Sequence, residues 1–244
     1  MTAIVIIPAR YDSARFPGKL LYPLRGMPVI QHVYENSNRA RLADDVIVAT
    51  DSETIFEKVL SFGGKAVMTD RKHKSGTDRV AEVARSTDYD IIVNVQGDEP
   101  LIRSEMIDDV ISLLEDKKAS IGTLIKKIED PQEMRDPNVV KIVFDNEGFA
   151  LYFSRAQIPF HAPHSELSTP DYYKHIGIYS YRRDILLALA GMEQTGLERV
   201  EKLEQLRALE NGMKIKIRET FFETYGVDTP EDIERVEKCL NTSL

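Results

Sequence analysis

The sequence predicts an α/β fold in which helices flank a mostly parallel central sheet and an antiparallel hairpin extends it. Short aliphatic runs alternate with segments whose apolar residues recur at helical spacing, which is typical of βαβ units. The runs at 4–7, 46–50 and 91–95 are almost continuously apolar, as in strands that a parallel sheet buries on both faces. A turn at 145–148 joins two further strand-like runs and indicates the hairpin.

The first half of the chain alternates regularly between the two kinds of element. Pro28 suits the first turn of a helix because its φ angle is fixed, and Asp51 or Ser52 can cap the next one. Gly63 and Gly64 mark the end of that helix. The predicted elements are a strand at 4–7, a helix at 28–40, a strand at 46–50, a helix after 52, a strand at 66–68, a helix after 79, a strand at 91–95 and a helix around 106–114.

The second half departs from this alternation and supplies the antiparallel part. A Pro-, His- and Ser-rich segment at 155–173 predicts an irregular loop, and Thr229-Pro-Glu-Asp232 predicts a capping box that starts the last helix. The other predicted elements are strands at 120–128, 139–144, 149–153, 175–181 and 214–218, with two helices before the last strand, the second around 200–209. We therefore expect one Rossmann-like domain over 1–244, with an antiparallel extension at about 139–181.

Composition excludes several classes of protein. The 244 residues include 42% hydrophobic and 30% charged side chains, and 40 acidic against 32 basic residues give a net charge of −8. This balance argues against a general binder of nucleic acid or anionic membranes. Cys239 is the only cysteine, which excludes an intramolecular disulfide or a cysteine zinc site. Without a signal peptide or a membrane-spanning run, we expect a cytoplasmic protein.

The loop after the first strand is rich in cations. Arg10, Arg15 and Lys19 fall within ten positions, with Ser13 and Gly18 among them. Loops at the carboxyl ends of parallel strands face the ligand crevice, so this loop predicts a phosphate site built from side-chain cations and loop amides. It matches neither a Walker P-loop nor a dinucleotide fingerprint. The alternative is a solvated charged loop.

Two carboxylates follow in similar settings. Asp98 lies in Gln96-Gly-Asp-Glu-Pro100 directly after a buried strand, and Asp228 ends Gly226-Val-Asp228 before the capped helix. Carboxylates of this kind hold Mg²⁺, which also keeps waters and bridges substrate phosphates. The alternatives are an ordinary turn for the first segment and a helix N-terminus for the second.

Three other segments carry polar residues with structural alternatives. Ser75 and its neighbours up to Arg79 could contact a base and an anion, or simply cap a helix. Strand alternation can place His175 and Tyr179 on one face, although a buried, satisfied histidine is commoner there. Glu204 and Gln205 fall on a predicted helix, where they could equally form its solvated side.

Together these segments resemble the cytidylyltransferases that activate 3-deoxy-manno-octulosonate (KDO). The opening motif, Ile-Pro-Ala-Arg-x-x-Ser-x-Arg-x-Pro-Gly-Lys at 7–19, marks CMP-sugar synthetases in general, and the later segments narrow the resemblance to the KDO type. Departures from the family pattern are Ala14, Phe16 and Leu20. The later matching segments are Ala49–Asp51, Ser75–Arg79, Asn94–Pro100, Ala150–Arg155, Lys174–Tyr179, Leu203–Arg207 and Gly226–Asp232.

The resemblance implies a fold of the nucleotide-diphospho-sugar transferase type and a specific reaction. In that reaction CTP and KDO give CMP-KDO and pyrophosphate with Mg²⁺ as cofactor, which activates the sugar for lipopolysaccharide synthesis. Positioning and charge neutralisation carry such a transfer more than covalent chemistry does. The family likeness also implies a homodimer, with the extension at 139–181 as a plausible contact.

The same resemblance implies roles for individual residues. Catalytic roles fall to Arg10, Lys19 and Asp98, and the metal ligands are Asp98 and Asp228. The nucleotide-binding residues are Pro8, Ala9, Arg10, Ser13, Arg15, Lys19, Ser75 and Gly76. The sugar-binding residues are Arg79, Gln96, Arg155, His175, Tyr179, Glu204 and Gln205.

Three other functions remain open at this point. A sister synthetase for sialic acid or for an amino variant of KDO would share the triphosphate machinery and differ in the sugar wall. A glycosyltransferase would consume a nucleotide sugar, and a non-catalytic module would only bind a nucleotide. Release of pyrophosphate from CTP in the presence of an acid sugar separates the synthetases from the other two.

Overall fold

The structure is a computed structural model that describes residues 1–13, 15–73, 75–162 and 171–242. Ala14 and Lys74, and residues 163–170 within the expected extension and loop, lie outside the described residues. The strands are β1 (Ala3–Ala9), β2 (Pro23–Leu24), β3 (Met27–Pro28), β4 (Asp45–Thr50), β5 (Ala66–Met68), β6 (Ile91–Asn94), β7 (Ile121–Lys127), β8 (Lys141–Phe144), β9 (Ala150–Ser154), β10 (Tyr173–Arg182) and β11 (Ile215–Glu219). The helices are α1 (Val29–Ser37), α2 (Glu53–Ser61), α3 (Gly76–Arg85), α4 (Ser104–Leu113), α5 (Pro131–Arg135), α6 (Arg183–Ala190), α7 (Gly196–Glu201), α8 (Gln205–Glu210) and α9 (Pro230–Thr242), with a 3₁₀ turn at Lys19–Leu21.

The strands form a central mixed sheet in the order β11-β7-β10-β6-β1-β4-β5. Strand β1 pairs in parallel with β4 and β6, and β5 and β11 pair in parallel with β4 and β7. Strand β10 lies antiparallel between β6 and β7 and also pairs with β8, which forms a hairpin with β9. The predicted fold class, a mostly parallel sheet with an antiparallel hairpin extension, is confirmed.

The hydrophobic core lies in two layers, one on each face of the sheet. In β1 the side chains of Val5 and Ile7 face the layer formed with α1, α2, α4 and α9, whereas Ile4 and Ile6 face the layer formed with α3, α6 and α8. Both faces of β1 are therefore covered, and this explains its continuous apolar run. Among the helices of the described residues, none combines the length and apolarity needed to cross a membrane.

Two details of the predicted elements were wrong, and a third holds only in part. Helix α1 begins at Val29, so Pro28 is its N-cap residue rather than its first helical residue. Three helices, not two, lie between β10 and β11, because Lys202 adopts a left-handed conformation (φ 56°, ψ 43°) that ends α7 before α8 begins. The amides of Asp228 and Thr229 both donate to the Asp232 carboxylate, at 2.9 and 2.8 Å. The contact of the Thr229 amide is the half of the predicted capping box in which the third helical residue accepts the N-cap amide. The Asp232 amide donates to the main-chain carbonyl of Thr229 at 3.2 Å rather than to its hydroxyl, so this prediction holds only in part.

The sheet places two functional loops side by side. Strands β1 and β6 are parallel neighbours, so the loop after β1 and the turn after β6 leave the same edge. A Cβ atom on Gly97 would lie 2.9 Å from the carbonyl oxygen of Pro8, so this turn can approach β1 only with glycine. Because Asn94 pairs with Tyr179, the first residues of β10 extend beyond the end of β6 and line the same crevice.

We expect Gly97→Ala to destabilise the protein by about 2 kcal/mol, because the added methyl group must push β1 and the turn apart. Urea unfolding monitored by circular dichroism measures this change. Gly177→Ala is the matched control, because a Cβ atom there meets nothing within 4 Å; we expect its effect to stay within about 0.5 kcal/mol. Equal losses for the two variants would contradict the close approach at Gly97.

Candidate active site

A cluster of two cations and two carboxylates lies at this edge of the sheet. The Nζ atom of Lys19 is 2.5 Å from Asp98 Oδ2 and 2.9 Å from Asp228 Oδ1. An Nη atom of Arg15 is 2.8 Å from the other carboxylate oxygen of Asp228. The fold thus brings together residues from the loop after β1, the turn after β6 and the segment before α9.

Local backbone geometry explains how these side chains meet. Gly18 adopts a left-handed conformation (φ 73°) that turns the chain into the 3₁₀ segment carrying Lys19. The amide of Val227 donates to the carbonyl of Asp98 at 2.8 Å, which ties the two acidic segments together. Since Asp232 accepts the amides at the start of α9, the carboxylate of Asp228 is left to pair with Lys19 and Arg15.

The electrostatics of the cluster favour a charged lysine. Burial of Lys19 lowers its pKa, but the attraction of Asp98 and Asp228 and their hydrogen bonds outweigh burial, so the pKa is raised. The neighbouring Glu99 differs: burial, helped by repulsion from the two aspartates, raises its pKa to about 7. Its Oε2 atom is buried and finds no hydrogen-bond partner within the part of the chain that the structure describes.

A cavity of about 280 Å³ opens beside the cluster. Its lining residues are Pro8, Arg10, Asp12, Ser13, Lys19, Leu20, Gly76, Gln96, Gly97 and Asp98. Most of the residues assigned to the nucleotide by resemblance therefore lie around one cavity. Ala9 is instead buried in the core. Ser75 forms a capping box with Asp78 at the start of α3, and its contact with the nucleotide stays a prediction.

Residues assigned to the sugar form a neutral, hydrogen-bonding wall. The His175 ring packs against Tyr179 and Phe153, with ring centroids 5.1 and 5.3 Å apart, and its Nε2 lies 3.1 Å from the Thr123 hydroxyl. Burial lowers the pKa of His175 to about 3, so its imidazole is neutral at ordinary pH. Burial likewise raises the pKa of Tyr179 well above its usual value.

Three other residues assigned to the sugar come from the turn after β6 and from the start of α8. The Gln96 side-chain amide donates to Asn94 Oδ1 at 3.1 Å. Glu204 accepts a hydrogen bond from the Thr77 hydroxyl, and burial raises its pKa although that bond lowers it. Gln205 is half-buried at the first position of α8.

The two arginines of the sugar set are held by the protein itself. Arg79 is fully buried, with its guanidinium 2.6 Å from Asp51 and bonded to the Thr69 hydroxyl. The expected contact of Arg79 with an anion is therefore replaced by a structural ion pair. Arg155 donates to the carbonyls of Glu201 and Pro137, each at 2.8 Å, and remains half-buried at the end of β9.

Sequence reasoning missed several residues of this region. Glu99 lines a second cavity of about 600 Å³ together with His175 and Gly177, and its position beside Asp98 was the available signal. Thr77 lay inside the Ser-Gly-Thr segment but was not singled out. Thr123 gave no signal, because its contact with His175 joins positions 52 residues apart.

The donor set of the cluster suits a hard cation that keeps part of its hydration. In the described ranges, no three side chains of Asp, Glu, His or Cys are grouped as around a fully enclosed metal. Asp98 and Asp228 supply two carboxylates that share one cationic partner. Mg²⁺ is commonly held by one or two carboxylates together with water and substrate phosphates, so the residues present fit this ion.

Comparisons with known proteins agree with the resemblance. The cytidylyltransferase family profile matches residues 4–215. The 3-deoxy-manno-octulosonate cytidylyltransferase of Thermodesulfovibrio yellowstonii is 51% identical and covers 99% of both chains. The enzyme of the same name from Geobacter metallireducens is 52% identical over 99% of this chain and 98% of its own.

One solved structure is similar in both sequence and fold, and a more distant one is similar in fold alone. A CMP:2-keto-3-deoxy-manno-octonic acid synthetase complexed with CTP superimposes over 100% of both chains, with a TM-score of 0.94 and 40% identity. A glucose-1-phosphate thymidylyltransferase described as putative, from Bacillus anthracis, shares the fold with a TM-score of 0.69 over 98% of this chain and 95% of its own, at 16% identity.

The neutral state of His175 makes stability depend on pH. The unfolded chain binds a proton at His175 below about pH 6.5, whereas the folded chain does so only near pH 3. The contribution of neutral His175 to the free energy of unfolding is therefore complete above pH 6.5. It is lost as pH falls, by about 1.4 kcal/mol per pH unit.

We expect the stability advantage of the wild type over His175→Gln to shrink by about 2 kcal/mol between pH 6.5 and 5. Urea unfolding at a series of pH values measures the free energy of unfolding of both proteins. Subtracting the value of the variant removes the contributions of the other titratable groups. A difference that stays constant over this interval would mean that His175 takes up its proton equally readily in the folded and the unfolded chain.

Proposed function

The chain belongs to the cytidylyltransferase family, and we propose that it transfers CMP from CTP to the anomeric hydroxyl of KDO with release of pyrophosphate. The observation that carries this proposal is the cation and carboxylate cluster of Lys19, Asp98 and Asp228 at the mouth of the 280 Å³ cavity. The relatives at 51 and 52% identity bear the name of this activity. CMP-KDO would serve as the activated sugar for lipopolysaccharide synthesis.

The cations of the first loop are assigned to the triphosphate. Arg10 and Lys19 line the cavity, and Arg15 lies at its edge through its ion pair with Asp228. An ammonium group and two guanidinium groups at this place would orient the α-phosphorus for in-line attack. They would also stabilise the charge that develops on the leaving pyrophosphate, which is the main task in phosphoryl transfer.

Asp98 and Asp228 are assigned to Mg²⁺. When bound, this ion would neutralise phosphate charge and make the attacking sugar hydroxyl more acidic. In the structure Lys19 and Arg15 already neutralise the two carboxylates. Lys19 would therefore exchange its carboxylate partners for phosphate oxygens as nucleotide and metal bind together.

The neutral wall is assigned to the sugar. KDO carries one carboxylate and several hydroxyl groups, so its site needs a cation and a set of fixed donors and acceptors. Arg155 would supply the cation, and the polar groups of Gln96, His175, Tyr179, Glu204 and Gln205 would contact the hydroxyls. Buried groups of this kind discriminate strongly against analogues that lack a hydroxyl.

We further propose that the enzyme acts in the cytoplasm as a homodimer. CTP, the proposed substrate, is a cytoplasmic nucleotide. In the extension at 139–181, Leu151 and Phe160 are 60 and 81% exposed, and a subunit contact in this region would remove them from water.

A pyrophosphate-release assay tests the proposed function. CTP, UTP and ATP are each combined with KDO, its 8-amino analogue or sialic acid, with and without Mg²⁺. We expect release only with CTP, KDO and the metal. Release with sialic acid or the amino sugar in place of KDO would indicate a sister synthetase.

Absence of release with every pair, despite CTP binding, would indicate a nucleotide-binding module. A separate incubation with CMP-KDO completes the test, because its consumption would indicate a glycosyltransferase.

The metal assignment predicts a loss of turnover for one variant and a gain of metal affinity for another. Asp98→Asn should lower turnover at least about a hundredfold. Lys19→Met should bind Mn²⁺ more tightly than the wild type without nucleotide, because removing the ammonium leaves two carboxylates short of a cation. Electron paramagnetic resonance of free Mn²⁺ measures this affinity without any turnover. The double variant Lys19→Met/Asp98→Asn is the control and should lose the gain; tight binding by this control would place the ion elsewhere.

A further inference from the structure

The loop that precedes α3 holds Arg10 through its main chain. The Nη2 atom of Arg10 donates to the carbonyl oxygen of His73 at 2.7 Å. Arg10 lines the 280 Å³ cavity, and His73 is not among the described residues that line it. One donor of the guanidinium is thus fixed by the backbone behind the cavity, which leaves its other N–H groups for a ligand.

Glu82 of α3 in turn holds this loop at two points. The His73 imidazole is hydrogen-bonded through Nε2 to Glu82 Oε2, and the amide of Asp70 donates to the same oxygen at 3.0 Å. The side chain of His73 is 19% exposed and that of Glu82 is 37% exposed. A single carboxylate on a rigid helix therefore fixes both sides of the loop segment that carries the carbonyl used by Arg10.

The carboxylate of Glu82 remains charged in this position. Burial by itself raises the pKa of Glu82, but the hydrogen bonds from His73 and the Asp70 amide outweigh burial and lower it. Hydrogen bonds to a charged acceptor are stronger than those to a neutral one.

The two ends of the loop are anchored by other groups. The amide of Thr69 donates to the carbonyl of Thr50 at 2.8 Å, and the Thr69 hydroxyl bonds to Arg79. At the other end, Ser75 and Asp78 form the capping box of α3.

Between these anchors the Arg71 side chain donates to the Asp51 carbonyl at 3.4 Å, and the Lys72 amide donates to the Asp70 carboxylate at 2.9 Å. The His73 side chain itself is held by Glu82.

We propose that Glu82 is a positioning residue for nucleotide binding, which acts by fixing the His73 carbonyl that orients Arg10. This inference rests on the proposed function, because it takes the ligand of Arg10 to be the triphosphate of CTP. Holding the guanidinium in place before the nucleotide arrives lowers the conformational entropy lost on binding.

Calorimetric titration of CTP into the protein in Mg²⁺ buffer tests the proposal. We expect Glu82→Ala to weaken CTP binding roughly tenfold, the size of effect that loss of a hydrogen bond to a charged group produces. Glu82→Gln keeps an acceptor oxygen for His73 and should stay within about threefold of the wild type. Glu57→Ala, which removes an exposed glutamate from α2 on the other face of the sheet, is the control and should not change the affinity.

Steady-state kinetics separate positioning from general damage to the fold. The kcat/KM for CTP should fall in Glu82→Ala, because Arg10 both binds the triphosphate and orients the reacting phosphorus, while the KM for KDO stays unchanged. Equal rises in both KM values, or equal losses for Glu82→Ala and Glu82→Gln, would overturn the proposal. If Glu82→Ala fails to fold, His73→Ala is titrated instead. Of the two contacts with Glu82, its loop keeps only that of the Asp70 amide, so CTP binding should weaken by about threefold, and unchanged affinity would overturn the proposal.

A double-mutant cycle with Arg10→Ala tests the route itself. Once Arg10 is removed, Glu82→Ala should weaken CTP binding no further, whereas additive losses would show that Glu82 acts in another way. CTP binding by the wild type separates the proposed function from the positioning role of Glu82. If the wild type does not bind CTP, the proposed function fails; if it binds CTP and Glu82→Ala binds equally well, only the positioning role of Glu82 fails.

Discussion

The contact of Lys19 with Asp98 and Asp228 is the interaction on which the candidate site depends. The Lys19 side chain is only 11% exposed, and a charge so far removed from water is stable only with close partners. The contact therefore fixes the loop after β1 against the turn after β6 and the segment before α9. Removing one partner would leave the other charges uncompensated, which makes the three segments a single electrostatic unit.

The crevice is divided into two chemically different parts by this unit. Arg10, Lys19 and the two aspartates make one end strongly charged, as a triphosphate and a metal require. At the other end burial keeps His175 neutral and disfavours ionisation of Tyr179 and Glu204. That end offers hydrogen bonds of fixed direction, which suits a polyol. The two ends meet at Gln96, which lines the charged cavity and lies next to Asn94 on β6.

Much of the architecture was predictable because its causes are local. The apolar runs of β1 and β6 identify strands buried on both faces, and Ser52 caps α2 as its residue type suggests. Where local rules failed, a non-local or backbone effect prevailed. Lys202 ends α7 through a left-handed conformation that its residue type does not favour. At the start of α9, Asp232 accepts the Thr229 amide as the capping box predicts, but the Asp232 amide donates to the main-chain carbonyl of Thr229 instead of to its hydroxyl.

Residue type and spacing are enough to identify the order of the elements, the cationic loop, the strand-end carboxylates and the resemblance to one family of enzymes. Which charges face the crevice depends instead on how distant segments pack in the folded chain. Lys19 and Arg79 both follow the family motifs, yet the first lines the cavity and the second is fully buried against Asp51. The reason is that burial and ion pairing are set by segments distant in sequence, which no local pattern encodes.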